Sequence, residues 1–204
     1  VFSGPGLPHM FTALNGGGEI PCGDHVHGMI SIPGTTDSAA AAIYMHNNTA
    51  ILYGTDADTF KLQPFDIESG ALSYSLQRMG DIFVFDDDVG VNTLRTTLNF
   101  GNFQGSSLTK NMVPFIVQER TKVTASSTNR TKSQYRVFFS DGFGLYLTVV
   151  NQNFIGGIPV QFPDPVLVID TSEGSDGTDA TYWASNNGDG YVYQLDKGTS
   201  FNGE

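Results

Sequence analysis

The chain has 204 residues and a formal net charge of −11, and only 15 % of its residues are charged, against roughly 25 % in an average soluble domain. An acidic balance argues against general binding to nucleic acid or to anionic membranes. Cys22 is the only cysteine, which excludes an intrachain disulfide, and no apolar run reaches the ~18 residues that a membrane helix needs.

The first 41 residues are predicted to form an irregular arm or loop. Residues 4–23 hold three prolines and six glycines, which is typical of a chain without regular structure. An alanine-rich run then spans residues 38–42, after the possible cap at residues 35–37. We expect this run to be either the start of a buried strand or a single helical turn.

Strand signals dominate residues 42–204. Short apolar segments rich in β-branched and aromatic residues alternate with turns that contain Asp or Asn beside Gly, and such turns tolerate the positive φ of tight hairpins. The predicted strands are residues 50–53, 59–62, 82–85, 135–139, 145–150, 181–184 and 191–195.

Three of these hairpins resemble one another, in residues 51–62, 137–147 and 182–195. Repeated hairpins suit the blades of a β-propeller, at ~40–45 residues each, and they also suit a β-sandwich. We therefore predict an all-β fold with residues 42–204 as a β-propeller-like hairpin domain. The first residue is not Met and the last hairpin stands at the very end, so we expect the chain to be part of a longer one.

Polar or proline-containing segments are predicted as connections. Residues 124–131 are the best candidate for an exposed tip, and residues 156–159 and 162–165 predict a stiff connector.

Five of the ten basic residues fall in one short stretch. One interpretation is a patch that contacts an acidic neighbour in an assembly, and the other is an exposed, solvated hairpin. The five candidates for the assembly contact are Arg120, Lys122, Arg130, Lys132 and Arg136.

No catalytic residue, metal ligand set or cofactor is predicted. His25 and His27 stand two apart, with His9, Cys22 and Asp24 nearby, but a third and fourth zinc ligand cannot be assigned from the pattern, and whether these histidines bind a metal stays open. Residues 86–88 and 186–190 resemble parts of calcium loops without the closing glutamate, and hairpin turns explain them better. Motifs for a nucleophilic serine or a phosphate loop are lacking in the sequence.

One hairpin concentrates aromatic residues that could form a flat surface for a sugar. Core packing is the default role of aromatic side chains in strands, so both interpretations stand. The candidates for a glycan platform are Tyr182, Trp183, Tyr191 and Tyr193.

Several phrases of strand and turn resemble those of bacteriophage tail structural proteins. They are QYRVFFSDG at residues 134–142 with GLY at 144–146, PVQFP at 159–163, and GYVYQLDKGTSFNGE at 190–204. The sequence resembles the β-propeller-containing nozzle (tail tubular) proteins of short-tailed phages, which are considerably longer than this chain. The resemblance implies a subunit that forms a ring around the DNA exit channel, without catalytic or cofactor residues.

The leading hypothesis is therefore a virion structural protein of the phage tail and not an enzyme. Its expected partners are other copies of itself, neighbouring tail proteins and DNA in transit through the lumen, with no membrane. The first alternative is a carbohydrate-binding β module, and the second is a glycosidase on a propeller.

Overall fold

The computed structural model describes residues 1–32, 40–55, 58–67, 69–86, 90–94, 109, 122–151, 153–185, 188 and 190–196. These residues form one short 3-10 helix and fourteen β-strands. The 3-10 helix spans Ala13–Asn15, and the strands are β1 (Val26–Ile32), β2 (Ala40–Met45), β3 (Thr49–Tyr53), β4 (Lys61–Asp66), β5 (Gln77–Met79), β6 (Asp81–Asp86), β7 (Gly90–Thr93), β8 (Val123–Asn129), β9 (Gln134–Phe139), β10 (Phe143–Val150), β11 (Asn153–Gln161), β12 (Val168–Glu173), β13 (Asp179–Ala184) and β14 (Val192–Leu195).

The all-β prediction is confirmed. The described strands form four small sheets in which chain neighbours pair antiparallel, in the orders β1-β2-β3-β4, β5-β6-β7, β11-β10-β9-β8 and β12-β13-β14. Each sheet is an up-and-down meander, a topology that the blades of a propeller share. The three hairpins that resemble one another in sequence are β3-β4, β9-β10 and β13-β14.

The chain divides into two compact units, Val1–Ala71 and Leu72–Glu204, whereas the sequence analysis divides it after residue 41. The first unit holds β1–β4, and β1 lies inside the segment predicted as an arm. The alanine-rich run becomes β2, because its residues pair on both sides with β1 and β3. A small apolar cluster of Ile43, Met45 and Ala50 forms its core.

The second unit is organised around β9. Every residue from Tyr135 to Phe139 is buried, since alternate side chains of a strand face opposite sides of the sheet and both sides are covered here. Tyr135, Val137 and Phe139 pack in one cluster with Phe83 and Phe85 of β6. Phe138 packs on the other side with Ala125, Val166 and Trp183.

The structure corrects the prediction that residues 124–131 form an exposed tip. Most of the segment is β8, in which Ser126, Ser127 and Asn129 are buried. Its polar side chains are accommodated by hydrogen bonds, as in the 2.6 Å bond that Thr124 Oγ1 donates to the Val166 carbonyl. The exposed turn is shorter and begins at Arg130.

The connector predicted around residues 156–159 is also corrected. These residues belong to β11, which pairs with β10 from Asn153 to Gln161 with one irregularity in register. Pro159 is tolerated because β11 is an edge strand, where one backbone donor can be missing without breaking a ladder on both sides. Residues 162–165 remain a link between β11 and β12.

Candidate functional site

The basic stretch separates into surface and interior residues. Lys122, Arg130 and Lys132 are exposed, whereas Arg136 is completely buried. Arg120 lies outside the described residues. Arg130 and Lys132 stand in the turn after β8, where the Asp179 carboxylate accepts the backbone N–H groups of Arg130 and Thr131.

Arg136 points to the face of β9 that β13 and β14 cover. Its Nη2 donates to Asp196 Oδ2 at 2.6 Å and to Gln134 Oε1 at 2.8 Å, and its Nη1 donates to Thr181 Oγ1 at 3.3 Å. The guanidinium carbon also lies 4.6 Å from the centre of the Tyr146 ring, a cation–π contact. These contacts hold the Arg136 side chain in the interior. The prediction that Arg136 belongs to a surface assembly contact is therefore wrong.

Asp196 is the shared acceptor of this network, because Lys132 Nζ lies 2.8 Å from its other oxygen. Burial alone raises the pKa of Asp196, but hydrogen bonds and positive charges from Lys132 and Arg136 outweigh burial and lower it below its ordinary value. Burial raises the pKa of the neighbouring Tyr146 to about 12, with Arg136 opposing and Asp196 adding to the shift. Lys122 and Arg130 form no ion pair with any residue that the structure describes.

The four aromatic residues of the predicted glycan platform do not share one surface. Trp183 stands opposite Tyr193 and stacks on it at 4.6 Å, while Tyr182 stands opposite Gln194 on the other side of the sheet. Trp183 is only 7 % exposed, because Phe162 covers it edge-on at 5.0 Å. Tyr191 and Tyr193 remain accessible. The platform prediction is therefore corrected: Trp183 is a core residue, since neighbours along a strand face opposite sides.

The outer face of the β12–β14 sheet carries an apolar row across all three strands. Val168 pairs with Ala184, and Ala184 pairs with Val192, so the three side chains stand side by side. Val168 is 64 % and Val192 71 % exposed, and the half-exposed Tyr182 flanks them on the same face. We call Val168, Ala184 and Val192 the apolar row.

Three histidines of the first unit lie together. The ring centres of His25 and His27 are 5.3 Å apart, and the ring centre of His46 is also 5.3 Å from that of His27. His27 Nδ1 lies 2.6 Å from the Ala71 carbonyl oxygen, and Asp24 accepts backbone N–H groups of His25 and Asn47. Across the described ranges, no group of three or more His, Cys, Asp or Glu side chains is arranged to hold a metal ion.

Sequence reasoning missed a polar cleft of about 230 Å³ between β8 and β12. Its walls include Ser127 and Arg130 from one sheet and Asp170 and Glu173 from the other. The residues of one wall are forty or more positions from those of the other in the chain, and none belongs to a recognisable motif. Only the packing of β8 beside β12, which are strands of two separate sheets, brings them together.

No protein-family model and no curated protein matches the chain. In the part of the chain that the structure describes, no helix is long and apolar enough to cross a membrane.

Proposed function

We propose that the chain is a structural subunit of a phage tail, one copy in a ring or nozzle around the DNA exit channel, and that it acts through subunit contacts without catalysis. The apolar row is the observation that supports this function most directly. Val168 and Val192 are both more than half exposed on one face of the β12–β14 sheet, and covering them removes apolar surface from water at about 25 cal/mol per Å².

The positions of the sequence phrases that resemble nozzle proteins support the same function. The phrase at residues 134–146 falls on the β9-β10 hairpin, and the phrase at 190–204 begins at β14. In the part of the chain that the structure describes, the phrases that resemble nozzle proteins are strands and turns of two small meander sheets. Such sheets supply surfaces for contacts between subunits, which is the work of a ring component.

The acidic balance suits a subunit of a DNA channel. With a net charge of −11, the chain repels the phosphate backbone, so DNA in transit would slide past it without being retained. A filter-retention measurement at low salt tests this part. We expect no retained double-stranded DNA, and retention that weakens steeply with added salt would contradict it.

The decisive experiment measures self-assembly through the apolar row. The native mass of the chain is determined by light scattering over a range of concentrations, with negative-stain images of the same fractions. We expect rings or high-order oligomers, and a double variant, Val168→Asp with Val192→Asp, should shift them to monomers, since it places charges in the buried contact. A monomer at every concentration, without rings in the images, would contradict the proposal.

Two further variants complete this experiment. Leu14→Asp changes another exposed apolar residue, 95 % accessible, and should leave assembly unchanged. Arg130→Glu reverses an exposed charge that has no ion pair among the described residues, and we expect it to weaken assembly if the basic turn contacts an acidic neighbour. If Arg130→Glu leaves assembly unchanged, Arg130 is not part of the subunit contact. The role proposed for the apolar row does not depend on this result.

A further inference from the structure

The sheet of the first unit has two edges that differ in their chemistry. Its strand order is β1-β2-β3-β4, so β1 and β4 are the edge strands. An edge strand presents a row of backbone N–H and C=O groups with which another extended chain can pair. Proteins commonly block such an edge with charged residues, a proline or a bulge, and the presence of these features distinguishes a blocked edge from an open one.

The β4 edge is blocked. The strand contains Pro64, which has no N–H to donate, and it begins and ends with the charged residues Lys61 and Asp66. Its pairing with β3 is irregular between Pro64 and Asp66, and such an extra residue bends an edge strand locally. Another strand cannot add regularly to this edge.

The β1 edge lacks these features over most of its length. Val26–Ile32 contains no proline and no Asp, Glu, Lys or Arg. Its irregularity lies at the start of the strand, between Val26 and Gly28, and from Gly28 to Ile32 it pairs with β2 residue by residue. Among the strands that the structure describes, none pairs with the other edge of β1. Five consecutive residues therefore form an open edge.

The side chains of this edge favour an apolar contact. Met29 is 64 % exposed and Ser31 is exposed on one face of β1, while Ile30 and Ile32 are half-buried on the other face. A strand added beside β1 would cover part of these side chains and would supply partners for the outward-facing backbone groups. Both effects favour an extended, uncharged segment as the occupant of the edge.

β1 is itself a segment of this kind, so a second copy of the chain can supply the occupant. Two copies that each carry a net charge of −11 repel one another, and a contact between them is favoured where both surfaces are uncharged. Pairing of β1 with β1 uses the same edge in both copies and closes as a dimer. Pairing of β1 with β4 of another copy would require the blocked edge.

We propose that β1 is a dimerisation edge, at which two copies of the chain pair antiparallel about a two-fold axis at Ile30. In this register Ile30 lies opposite Ile30 of the second copy, and Met29 lies opposite Ser31 of the second copy. Residues directly opposite each other in an antiparallel pair share a face, so the isoleucines of the two copies cover one another. The contact is distinct from the apolar row, and it does not depend on the proposed function.

Sedimentation equilibrium of the full chain tests this dimer. The measurement uses the Val168→Asp, Val192→Asp double variant, so that association through the apolar row does not contribute. We expect an equilibrium between monomer and dimer with a dissociation constant on the order of 10 μM. A monomer at every concentration up to about 1 mM would overturn the proposal, and β1 would then be left to a segment of another protein.

Charged variants of β1, made in the same background, locate the contact. Met29→Lys with Ser31→Lys sets lysines opposite lysines in the dimer, and Met29→Glu with Ser31→Glu sets glutamates opposite glutamates. We expect each variant alone to dimerise at least ~10-fold more weakly, because like charges directly opposite each other are destabilising. An equimolar mixture should restore the dimer, since every lysine then lies opposite a glutamate, and this rescue also shows that both variants fold.

Gln63→Lys is the matched control, because Gln63 is an exposed residue of the blocked β4 edge. It should leave the dissociation constant of the dimer unchanged. The proposal is overturned if the lysine variant of β1 dimerises as strongly as its parent, or if the mixture of the lysine and glutamate variants stays monomeric.

Discussion

Asp196 Oδ2 lies 2.6 Å from Arg136 Nη2, although the two residues are 60 positions apart in the chain. Asp196 directly follows β14, and Arg136 lies in the middle of β9, so the ion pair connects two sheets of the second unit. A guanidinium with no exposed surface depends on such a partner, because a buried charge without compensation is strongly unfavourable.

Asp196→Asn should therefore destabilise the second unit by about 3 kcal/mol, since it leaves the buried Arg136 without a negative charge. Urea unfolding followed by circular dichroism measures this change. Asp170→Asn is the control: this exposed carboxylate accepts one local backbone N–H, and its loss should cost less than about 1 kcal/mol. A loss for Asp196→Asn no larger than that of the control would contradict the assigned role.

The stability that Asp196 provides should depend on pH. Its pKa in the folded chain is below the ordinary value of 3.8, so the ionised carboxylate favours the folded state. The contribution is complete above that value and is lost as the pH falls through the folded pKa. We expect the difference in unfolding free energy between the wild type and Asp196→Asn to narrow over this window. A constant difference through the same window would contradict the expectation.

Trp183→Ala should destabilise the chain by about 3–5 kcal/mol, because it opens a cavity between Phe162, Phe138 and Tyr193. Tyr182→Ala, on the opposite and accessible face of β13, should cost less than about 1 kcal/mol. Both values come from urea unfolding followed by circular dichroism, since Trp183 is the only tryptophan and its fluorescence disappears with it. Comparable losses for the two variants would show that Trp183 is not a core residue.

Gly70→Ala should destabilise the first unit by roughly 1–3 kcal/mol. A Cβ at this position would overlap the backbone carbonyl oxygens of Met45 and His46, which cannot move without disturbing the end of β2. Gly156→Ala is the matched control, because no atom lies within 4 Å of the added Cβ there, and it should be neutral or slightly stabilising. Thermal unfolding of both variants makes the comparison, and equal midpoints would contradict the close approach at Gly70.

The strands that the sequence predicts correctly are those in which the residue types favour a strand and the packing of the folded chain also requires one. The segment of β9 and β10 combines β-branched and aromatic residues with an Asp-Gly turn, and its strands appear within two residues of the expected bounds. β8 was missed because serines and threonines are equally typical of exposed loops. Its burial depends on acceptors far away in the chain, such as the carbonyl of Tyr74 in the turn before β5, which accepts from Ser126, and such partners leave no local signal.

Side-chain sites were less predictable than strands for the same reason. Arg136 stands between Tyr135 and Val137 in a run that is otherwise apolar, and this neighbourhood is the signal that could have indicated a buried charge. Its partner Asp196 could not be identified from the sequence. The cleft likewise depends on residues such as Ser127 and Glu173, whose proximity follows only from the packing of β8 beside β12.

Burial of β9 on both faces has a consequence for how the second unit opens. β9 is paired on both edges, with β8 and β10, and covered on both faces by separate apolar clusters. Water can reach its amides only when at least two sheets have separated, so local fraying at β11 or β14 leaves them protected. The amides of Val137 and Phe138 should therefore exchange with solvent deuterium at the rate of global unfolding, which makes them reporters of the cooperativity of the whole unit.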